Sequence, residues 1–297
     1  MKETIVAKKP APSFGGGMAV LDDGLVDIAL DDSPVSEVRT APPLADVSPI
    51  DLTGRPKLIF VGGLGQCGKT LLCRFLAEES IDREGGATLA SVDPVNRELG
   101  LYFAETLKPE TRDPAGIARW LDNFVATVAK ENGTAIIDLG GGDASLPKLV
   151  SDAPDLRQRL EEAGVSIVAL YLLSGRPIDL TPLNDMERLG FQPAATAIIL
   201  NHAKLRSGVS HEAEFRLTVR HPAYRAATGR GAVTIWMPHL HTADMIRDRH
   251  ILFAHAVKGV MPEGKPGLPL GPAQQSSTHG WLLRMREAFS PINRWLP

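Results

Sequence analysis

Residues 57–70 read Lys57-Leu-Ile-Phe-Val-Gly-Gly63-Leu-Gly-Gln-Cys-Gly-Lys69-Thr70, and they contain the most informative motif of the chain. An apolar run typical of a buried strand passes directly into the pattern G-x-x-x-x-G-K-T. A helical pattern, Leu71-Leu-Cys-Arg-Phe-Leu-Ala77, follows at once. A glycine-rich loop between a strand and a helix is the arrangement that cradles phosphate groups. The stretch therefore predicts a phosphate-binding loop, with a nucleoside triphosphate as its ligand.

The residue types of this loop suit that chemistry. Glycines let the chain curl tightly enough to aim several backbone N–H groups at phosphate oxygens, and the helix beyond the loop adds its positive N-terminal end. Lys69 can reach the β- and γ-phosphates, and the Thr70 hydroxyl is placed to hold Mg²⁺. The predicted nucleotide-binding residues here are Gly63, Gly65, Gln66, Cys67, Gly68, Lys69, Thr70 and Leu71.

Length and composition suit one large α/β domain with flexible ends, since the chain has 297 residues, 43% of them hydrophobic, and a net charge of −3. No apolar stretch reaches the roughly 18 residues of a membrane span, and the N-terminus has no signal-like core. We therefore expect a cytoplasmic protein. The two cysteines, Cys67 and Cys73, cannot build a disulfide framework. They are either small buried thiols or, for Cys67, a site whose oxidation would block the nucleotide.

Composition and periodicity divide the chain into four expected parts. Residues 1–54 form a predicted disordered tail, whose stretch 21–32 alternates aspartates with aliphatic residues and is either solvated or a partner-binding segment. Residues 55–260 form the predicted α/β domain. A linker rich in Pro, Gly and Ser is expected at 261–280, followed by a short amphipathic C-terminal segment at 281–297.

Within the domain, strand patterns alternate with helical patterns, which predicts a mostly parallel sheet with helices on both faces. The predicted strands are 57–61, 88–92, 134–138, 166–173, 195–200 and 232–237. The predicted helices are 69–79, 114–130, 145–163, 179–189 and 241–258, the second with Asp113 and Pro114 as cap and first-turn residues.

Two of the predicted strands end in acids that suit a metal–nucleotide site. Asp138 ends the third strand, and Leu-Gly-Gly-Gly-Asp143 follows it. An aspartate at the tip of a buried strand beside the loop is where a group supporting Mg²⁺ is needed, and the glycines allow a backbone N–H to approach the γ-phosphate. The alternative is that Asp138 only caps its strand. The second strand ends in Asp93 and continues as Pro94-Val-Asn96.

The order and spacing of these motifs resemble the ParA/MinD type of P-loop ATPase, of the SIMIBI class, over about residues 56–260. The resemblance implies ATP and Mg²⁺ as cofactors. It implies that Lys69 and Asp93 take part in catalysis, with Asp93 positioning the attacking water and Asn96 sensing the γ-phosphate. It also implies that Thr70, Asp93 and Asp138 form the metal site.

The strand ends at Asn201 and Pro238 are similar to the adenine-pocket elements of that family. Related GTPases are expected to place a guanine-reading aspartate three residues after the asparagine, where this chain has Lys204. Adenine is therefore the predicted base. His202 either stacks on the base or is a simple loop residue.

One position departs from the family pattern. Members typically carry a second lysine directly after the first glycine of the loop, which reaches the partner's phosphates across a dimer, and this chain has Leu64 there. A missing cation at the transition state can be worth several kcal/mol. Either another cation substitutes, with Arg97 the nearest in sequence, or the nucleotide-dependent homodimer is altered and hydrolysis is slow.

Residues 202–230 hold a local excess of basic residues that suits nonspecific binding of DNA phosphates through 204–230, or is an ordinary solvated face. The segment around Trp281 could dock on the domain, on a partner or on a membrane surface, the last being least favoured because it is short and carries few positive charges. His239 and His241 form an H-x-H pair without a matching ligand set, which favours structural histidines over a metal site.

The sequence favours a ParA/MinD-like ATPase that binds ATP or ADP, hydrolyses ATP weakly and organises DNA or a protein assembly, as in plasmid partition or conjugative transfer. A small-molecule kinase is the first alternative and would need an arginine-rich lid, for which 206–230 is the candidate. A nucleotide-sensing adaptor with little turnover is the second, and Leu64 supports it.

Overall fold

The computed structural model describes residues 44–81, 86–93, 97–205, 208–265 and 267–297. Most of the predicted tail, including the acidic stretch 21–32, therefore lies outside the described residues. The same is true of Asn96 and Arg206.

A single parallel sheet forms the centre of the described structure. Its strands run in the order β2-β3-β1-β4-β5-β6, and every neighbouring pair is parallel. Each strand lies within one residue of its predicted bounds, and the predicted α/β class is confirmed. The strands are β1 (Lys57–Gly62), β2 (Thr88–Ser91), β3 (Ala135–Asp138), β4 (Ser166–Leu173), β5 (Ala195–Asn201) and β6 (Val233–Met237).

Strand β1 lies between β3 and β4, and all six of its residues are buried. In this register Val61 pairs with Asp138, and Gly62 pairs with Tyr171. The end of β1 is therefore flanked by the ends of its two neighbours. Ligands of parallel α/β sheets bind at this carboxyl edge, so the register places the predicted site residues where such sites form.

Helices cover both faces of the sheet, as predicted. One face carries α1, α8, α9 and α10, and the other carries α2 to α7. The described helices are α1 (Lys69–Ile81), α2 (Pro114–Lys130), α3 (Ser145–Asp152), α4 (Leu156–Glu162), α5 (Thr181–Arg188), α6 (His211–Arg220), α7 (Pro222–Gly229), α8 (Ala243–Arg249), α9 (Phe253–Lys258) and α10 (Pro272–Phe289).

Helix α2 begins where its cap residues predict. The Asp113 carboxylate accepts a hydrogen bond from the Gly116 N–H at 2.8 Å, and Pro114 occupies the first turn. Two other predicted helices are divided. The predicted helix 145–163 breaks between α3 and α4 around Pro154, which cannot donate a helical hydrogen bond. The predicted helix 241–258 breaks between α8 and α9 at His250, whose φ is 48°.

The C-terminal part of the chain packs on the domain, which was one of the three alternatives. Helix α10 begins at Pro272, inside the stretch expected to be a linker. Trp281 is fully buried against Phe75 of α1, and its indole N–H donates to the Pro238 carbonyl at 2.9 Å. Further along, the Trp295 indole N–H donates to the carbonyl of Ile50, in the predicted tail, at 3.1 Å.

Candidate functional site

The glycine-rich loop lies between β1 and α1, at the carboxyl edge of the sheet. Gln66 and Gly68 both have positive φ, 63° and 102°, so the loop curls before the helix begins at Lys69. Gly65 and Gln66 are exposed, whereas Cys67 is fully buried beneath them. The loop thus presents an exposed, strongly curved backbone at the N-terminus of a helix of 13 residues.

The side chain of Asn201 fixes this loop from below. Its Nδ2 donates to the Cys67 carbonyl at 2.7 Å, and its Oδ1 accepts from the Ala203 N–H at 2.9 Å. A Cβ atom on Gly68 would lie only 2.6 Å from Asn201 Nδ2, so a side chain there would collide. Because Asn201 is 1% exposed and both its polar atoms have partners within the chain, its geometry supports a positioning role rather than direct contact with a base.

Thr70 and Asp138 form the polar centre of the site. The Thr70 hydroxyl donates to Asp138 Oδ2 at 3.0 Å, across from α1 to the end of β3. Burial raises the pKa of Asp138 to about 6, against the opposing effects of the Thr70 hydrogen bond and the Lys69 charge. A buried carboxylate beside a hydroxyl at a helix N-terminus is a donor set that suits Mg²⁺, since a cation would relieve the cost of burying this charge.

Lys69 is buried and points back along the loop. Its ammonium donates to the Leu64 carbonyl at 3.0 Å, so the charge lies inside the curve of the loop. Leu64 itself is half-buried. A flexible lysine held by one carbonyl can exchange that partner for a phosphate oxygen with little movement of the backbone.

The loop that follows β3 approaches the glycine-rich loop closely. A Cβ atom on Gly141 would lie 2.7 Å from both Cα and N of Gly65. A Cβ on Gly140 would lie 3.3 Å from the Cα of Asp93. The structure therefore brings the three predicted parts of the site together: the glycine-rich loop, the glycines after Asp138, and the end of β2.

Arg97, the nearest candidate to replace the missing lysine, is engaged elsewhere. Its Nη2 donates to the Pro109 carbonyl at 3.2 Å. This hydrogen bond ties the segment after β2 to the chain before α2. It gives no support to Arg97 as the substitute cation.

An aromatic cluster lies where β5 and β6 end. The rings of His202 and His211 are stacked with centroids 4.0 Å apart, and the Trp236 ring lies 5.2 Å from His202. Burial, followed by the charge of His211, lowers the pKa of His202 to about 4, so its imidazole is neutral at physiological pH. Pro238 is half-buried beyond β6. The sequence reasoning considered His202 but missed His211 and Trp236, since Trp236 reaches the cluster through the pairing of β5 with β6 and His211 through the packing of α6.

The basic stretch forms two helices, α6 and α7, that the sequence analysis did not predict. Phe215 and Ala227 anchor them on the sheet. Arg216, Arg220 and Arg225 are exposed. Arg230 is paired with Glu187.

The two cysteines lie in the interior of the described structure. Cys67 and Cys73 are buried free thiols, and burial raises the pKa of each, which favours inert thiols over a reactive site. Across the described ranges no group of three or more His, Cys, Asp or Glu side chains could hold a metal ion. None of the described helices combines the length and apolarity that a bilayer span requires.

No family model matches the sequence, and no curated protein matches it. Several solved structures resemble the fold. McdA of Cyanothece, a substituted variant in complex with ATP, is 12% identical, with a TM-score of 0.42, over 80% of this chain and 97% of that one. FtsY of Thermotoga maritima is 16% identical, with a TM-score of 0.40, over 79% and 71% of the two chains.

FtsY of Elizabethkingia anophelis, a signal recognition particle receptor in complex with GDP, is 14% identical, with a TM-score of 0.38. Here the matched region covers 62% of this chain and 58% of that one, less than two thirds of its length. At these scores and identities, the likenesses do not bear on what this chain binds. The sheet order, the helices on both faces and the loop geometry described above are what establish its α/β architecture.

Proposed function

We propose that the protein is a ParA/MinD-like P-loop ATPase that binds Mg-ATP and uses it to organise DNA or a protein assembly. The observation that carries the proposal is the hydrogen bond between Thr70 and Asp138, 3.0 Å long, at the start of the helix that follows the glycine-rich loop. A hydroxyl on the loop helix and a buried acid on the neighbouring strand are the two protein groups that hold Mg²⁺ in such sites.

In this proposal each residue has a distinct task. Backbone N–H groups of the loop bind the β- and γ-phosphates, and Lys69 leaves the Leu64 carbonyl to bind the same oxygens. Thr70 and Asp138 would hold Mg²⁺, with Asp93 near them, and the ion would neutralise charge on the phosphate oxygens. Asp93, beside Gly140, orients the attacking water.

The residue at position 64 sets the expected rate. Leu64 cannot bring a cation to the transition state, and the Arg97 guanidinium donates to the carbonyl of Pro109. We therefore propose weak hydrolysis, and a nucleotide-sensing adaptor stays as the second candidate because Leu64 favours it. The small-molecule kinase loses support, since α6 and α7, which occupy most of its only candidate lid, are held on the sheet by Phe215 and Ala227.

The proposed cargo surface is the outer side of α6 and α7. Arg216, Arg220 and Arg225 are exposed there and suit nonspecific contact with DNA phosphates. The proposal also includes a nucleotide-dependent homodimer and a protein partner. It further includes a cytoplasmic location and a role in plasmid partition or conjugative transfer.

Binding of a fluorescent ATP analogue with and without Mg²⁺ tests the first step. Lys69→Ala is expected to weaken binding, since a charge-assisted hydrogen bond contributes about 1.5–3 kcal/mol, roughly ten- to hundredfold in affinity. Lys108→Ala, at an exposed lysine, is the matched control and should bind as wild type does. Equal affinity of all three proteins would contradict nucleotide binding at this loop.

Phosphate release, with and without duplex DNA, and mass by light scattering test the later steps. DNA-stimulated, Lys69-dependent release with an ATP-linked dimer supports the partition-like function. Tight ATP binding with neither release nor a dimer supports the adaptor. A phosphorylated small-molecule product would instead support the kinase.

A further inference from the structure

Four histidines gather where β5 and β6 end. His202 is the first residue after β5, and His211 is the first residue of α6. Their rings are nearly parallel, 14° apart, with centroids at 4.0 Å. His239 and His241 follow β6, with ring centroids 4.3 Å apart.

His202 is enclosed by this cluster, and its surroundings do not stabilise a positive charge on the imidazole. Its Nε2 is buried and has no hydrogen-bond partner in the described structure. The rings of His211 and Trp236 pack against it, the latter at 5.2 Å. A buried imidazole with an unsatisfied nitrogen tolerates the neutral form far better than the cation.

The charged groups around His202 come from every element packed against it. Helix α6 contributes His211 and the exposed carboxylate of Glu212, and the segment after β6 contributes His239. His239 in turn faces His241, Asp244 of α8 and Lys204. Among the described residues named above, positive or protonatable groups outnumber the carboxylates of Glu212 and Asp244, so protons added to this cluster repel one another.

The side chain of Asn201 connects the cluster to the glycine-rich loop. Asn201, directly before His202, donates to the Cys67 carbonyl at 2.7 Å. The same side chain accepts from Ala203, inside the short helical turn His202–Lys204. A shift of this turn therefore moves the Asn201 side chain and the loop that it holds.

We propose that His202 is a positioning residue. Its neutral imidazole keeps the turn at 202–204 in its observed position, the closed form. Through Asn201, the closed turn keeps the glycine-rich loop in place. Protonation of His202 opens the turn and loosens the loop. Nucleotide binding then weakens in acid. This last consequence rests on the proposed function, whereas the coupling of His202 to the loop does not.

The direction of the effect follows from the pKa. The pKa of His202 is about 4 in the closed form and near 6.5 when the imidazole meets water. A group whose pKa is lowered in the closed form favours that form above pH 6.5 and loses this preference as pH falls through 4. At pH 5 the opening equilibrium should exceed its value at pH 8 by about 30-fold.

Hydrogen exchange of the loop amides 63–70 in the full chain, at pH 5 and pH 8 and corrected for intrinsic rates, measures this opening. Wild type should show the increase. His202→Phe, which keeps a flat ring but cannot take a proton, should not. His279→Gln, at an exposed histidine of α10, is the control and should behave as wild type does. An equal increase in wild type and His202→Phe would overturn the proposal.

A second variant is used if urea titrations at pH 8 show that His202→Phe is unfolded. His211→Gln removes the neighbouring imidazole, which raises the pKa of His202 in the closed form, so the increase on acidification should shrink. An unchanged increase in His211→Gln would then count against the coupling.

The affinity for a fluorescent ATP analogue with Mg²⁺ is compared at the same two pH values. Ionisation of the nucleotide itself affects all proteins equally, so the ratio of wild type to His202→Phe isolates the imidazole. Wild type should lose more affinity at pH 5. No binding at pH 8 would refute the proposed function, and the exchange result would still decide the role of His202.

Discussion

Replacement of Gly141 by alanine tests whether the loop after β3 contacts the glycine-rich loop. The added Cβ would lie 2.7 Å from Cα and N of Gly65. Carbon atoms attract best at about 3.5–4.0 Å, so the two loops must separate by roughly 1 Å. Gly142→Ala is the matched control, since its Cβ would meet no atom within 4 Å.

The expected cost follows from this overlap. Overpacking of a close contact costs about 1–3 kcal/mol of stability, and both loops can yield, so the lower end of that range applies to unfolding. The proposed ATP hydrolysis is more sensitive, because misplacement by about 1 Å can reduce turnover on the order of a hundredfold. Neither glycine has positive φ, so backbone strain does not separate the two variants.

Urea unfolding and Mg-ATP phosphate release are measured for both variants. We expect Gly141→Ala to lose about 1 kcal/mol of unfolding free energy and most of its turnover, with Gly142→Ala close to wild type. Indistinguishable variants in both assays would refute the inferred contact between the loops.

Three further predictions concern the residues around this contact. Asn201→Ala removes both hydrogen bonds of that side chain and should lower the unfolding free energy by about 2 kcal/mol. The control Asn123→Ala, on an exposed face of α2, should change the unfolding free energy by less than about 0.5 kcal/mol. Similar urea midpoints for the two variants would count against the positioning role of Asn201. Because burial raises the pKa of Asp138 from 3.8 to about 6, its contribution to stability is fully present below pH 3.8 and lost as pH rises through 6. Asp138→Asn without Mg²⁺ should therefore be more stable than wild type at pH 8, by on the order of 3 kcal/mol, and melting curves at pH 4 and pH 8 that shift alike in both proteins would disprove this. Trp281→Ala should cost about 3–5 kcal/mol against less than about 1 kcal/mol for the exposed Leu283→Ala, and equal losses would mean that α10 is not packed as described.

The strands of the sheet and the position of Asp138 were predictable because short stretches of the sequence indicate them. Most of the strands are apolar runs, and Asp138 stands at the end of one of them. The cap at Asp113 and the proline after it located the start of α2 without any tertiary information. Local propensity and tertiary packing agree at these positions, so the sequence sufficed.

The missed helices had weaker signals. Helix α6 is polar apart from a few positions such as Phe215, so a reading based on charge took it for a basic surface stretch. Its cap is of a favoured residue type, however: Ser210 precedes the helix and accepts from the Ala213 N–H at 3.2 Å. The early start of α10 was hidden by a composition rich in Gly, Pro and Ser.

The roles within the site depend on contacts between distant residues. Asn201 and Cys67 are 134 positions apart, and no pattern in the sequence shows that one donates to the other. The proximity of Gly141 to Gly65 is equally invisible, because it depends on two backbones approaching without side chains. Sequence motifs predicted which residues take part in the site, whereas only the folded geometry showed that Asn201 holds the glycine-rich loop.

The burial of Trp281 against α1 also constrains the order in which the protein can be completed during synthesis. The ion pair between Arg286 and Glu79 joins residues 207 positions apart, and the indole of Trp281 covers Phe75 on the helix that follows the glycine-rich loop. Until α10 leaves the ribosome, Phe75 of α1 lacks the cover of Trp281 and the carbonyl of Pro238 lacks this donor. Helix α1 is among the first parts of the domain to be translated and among the last to be covered, so a nascent chain halted before α10 would expose an apolar surface to chaperones.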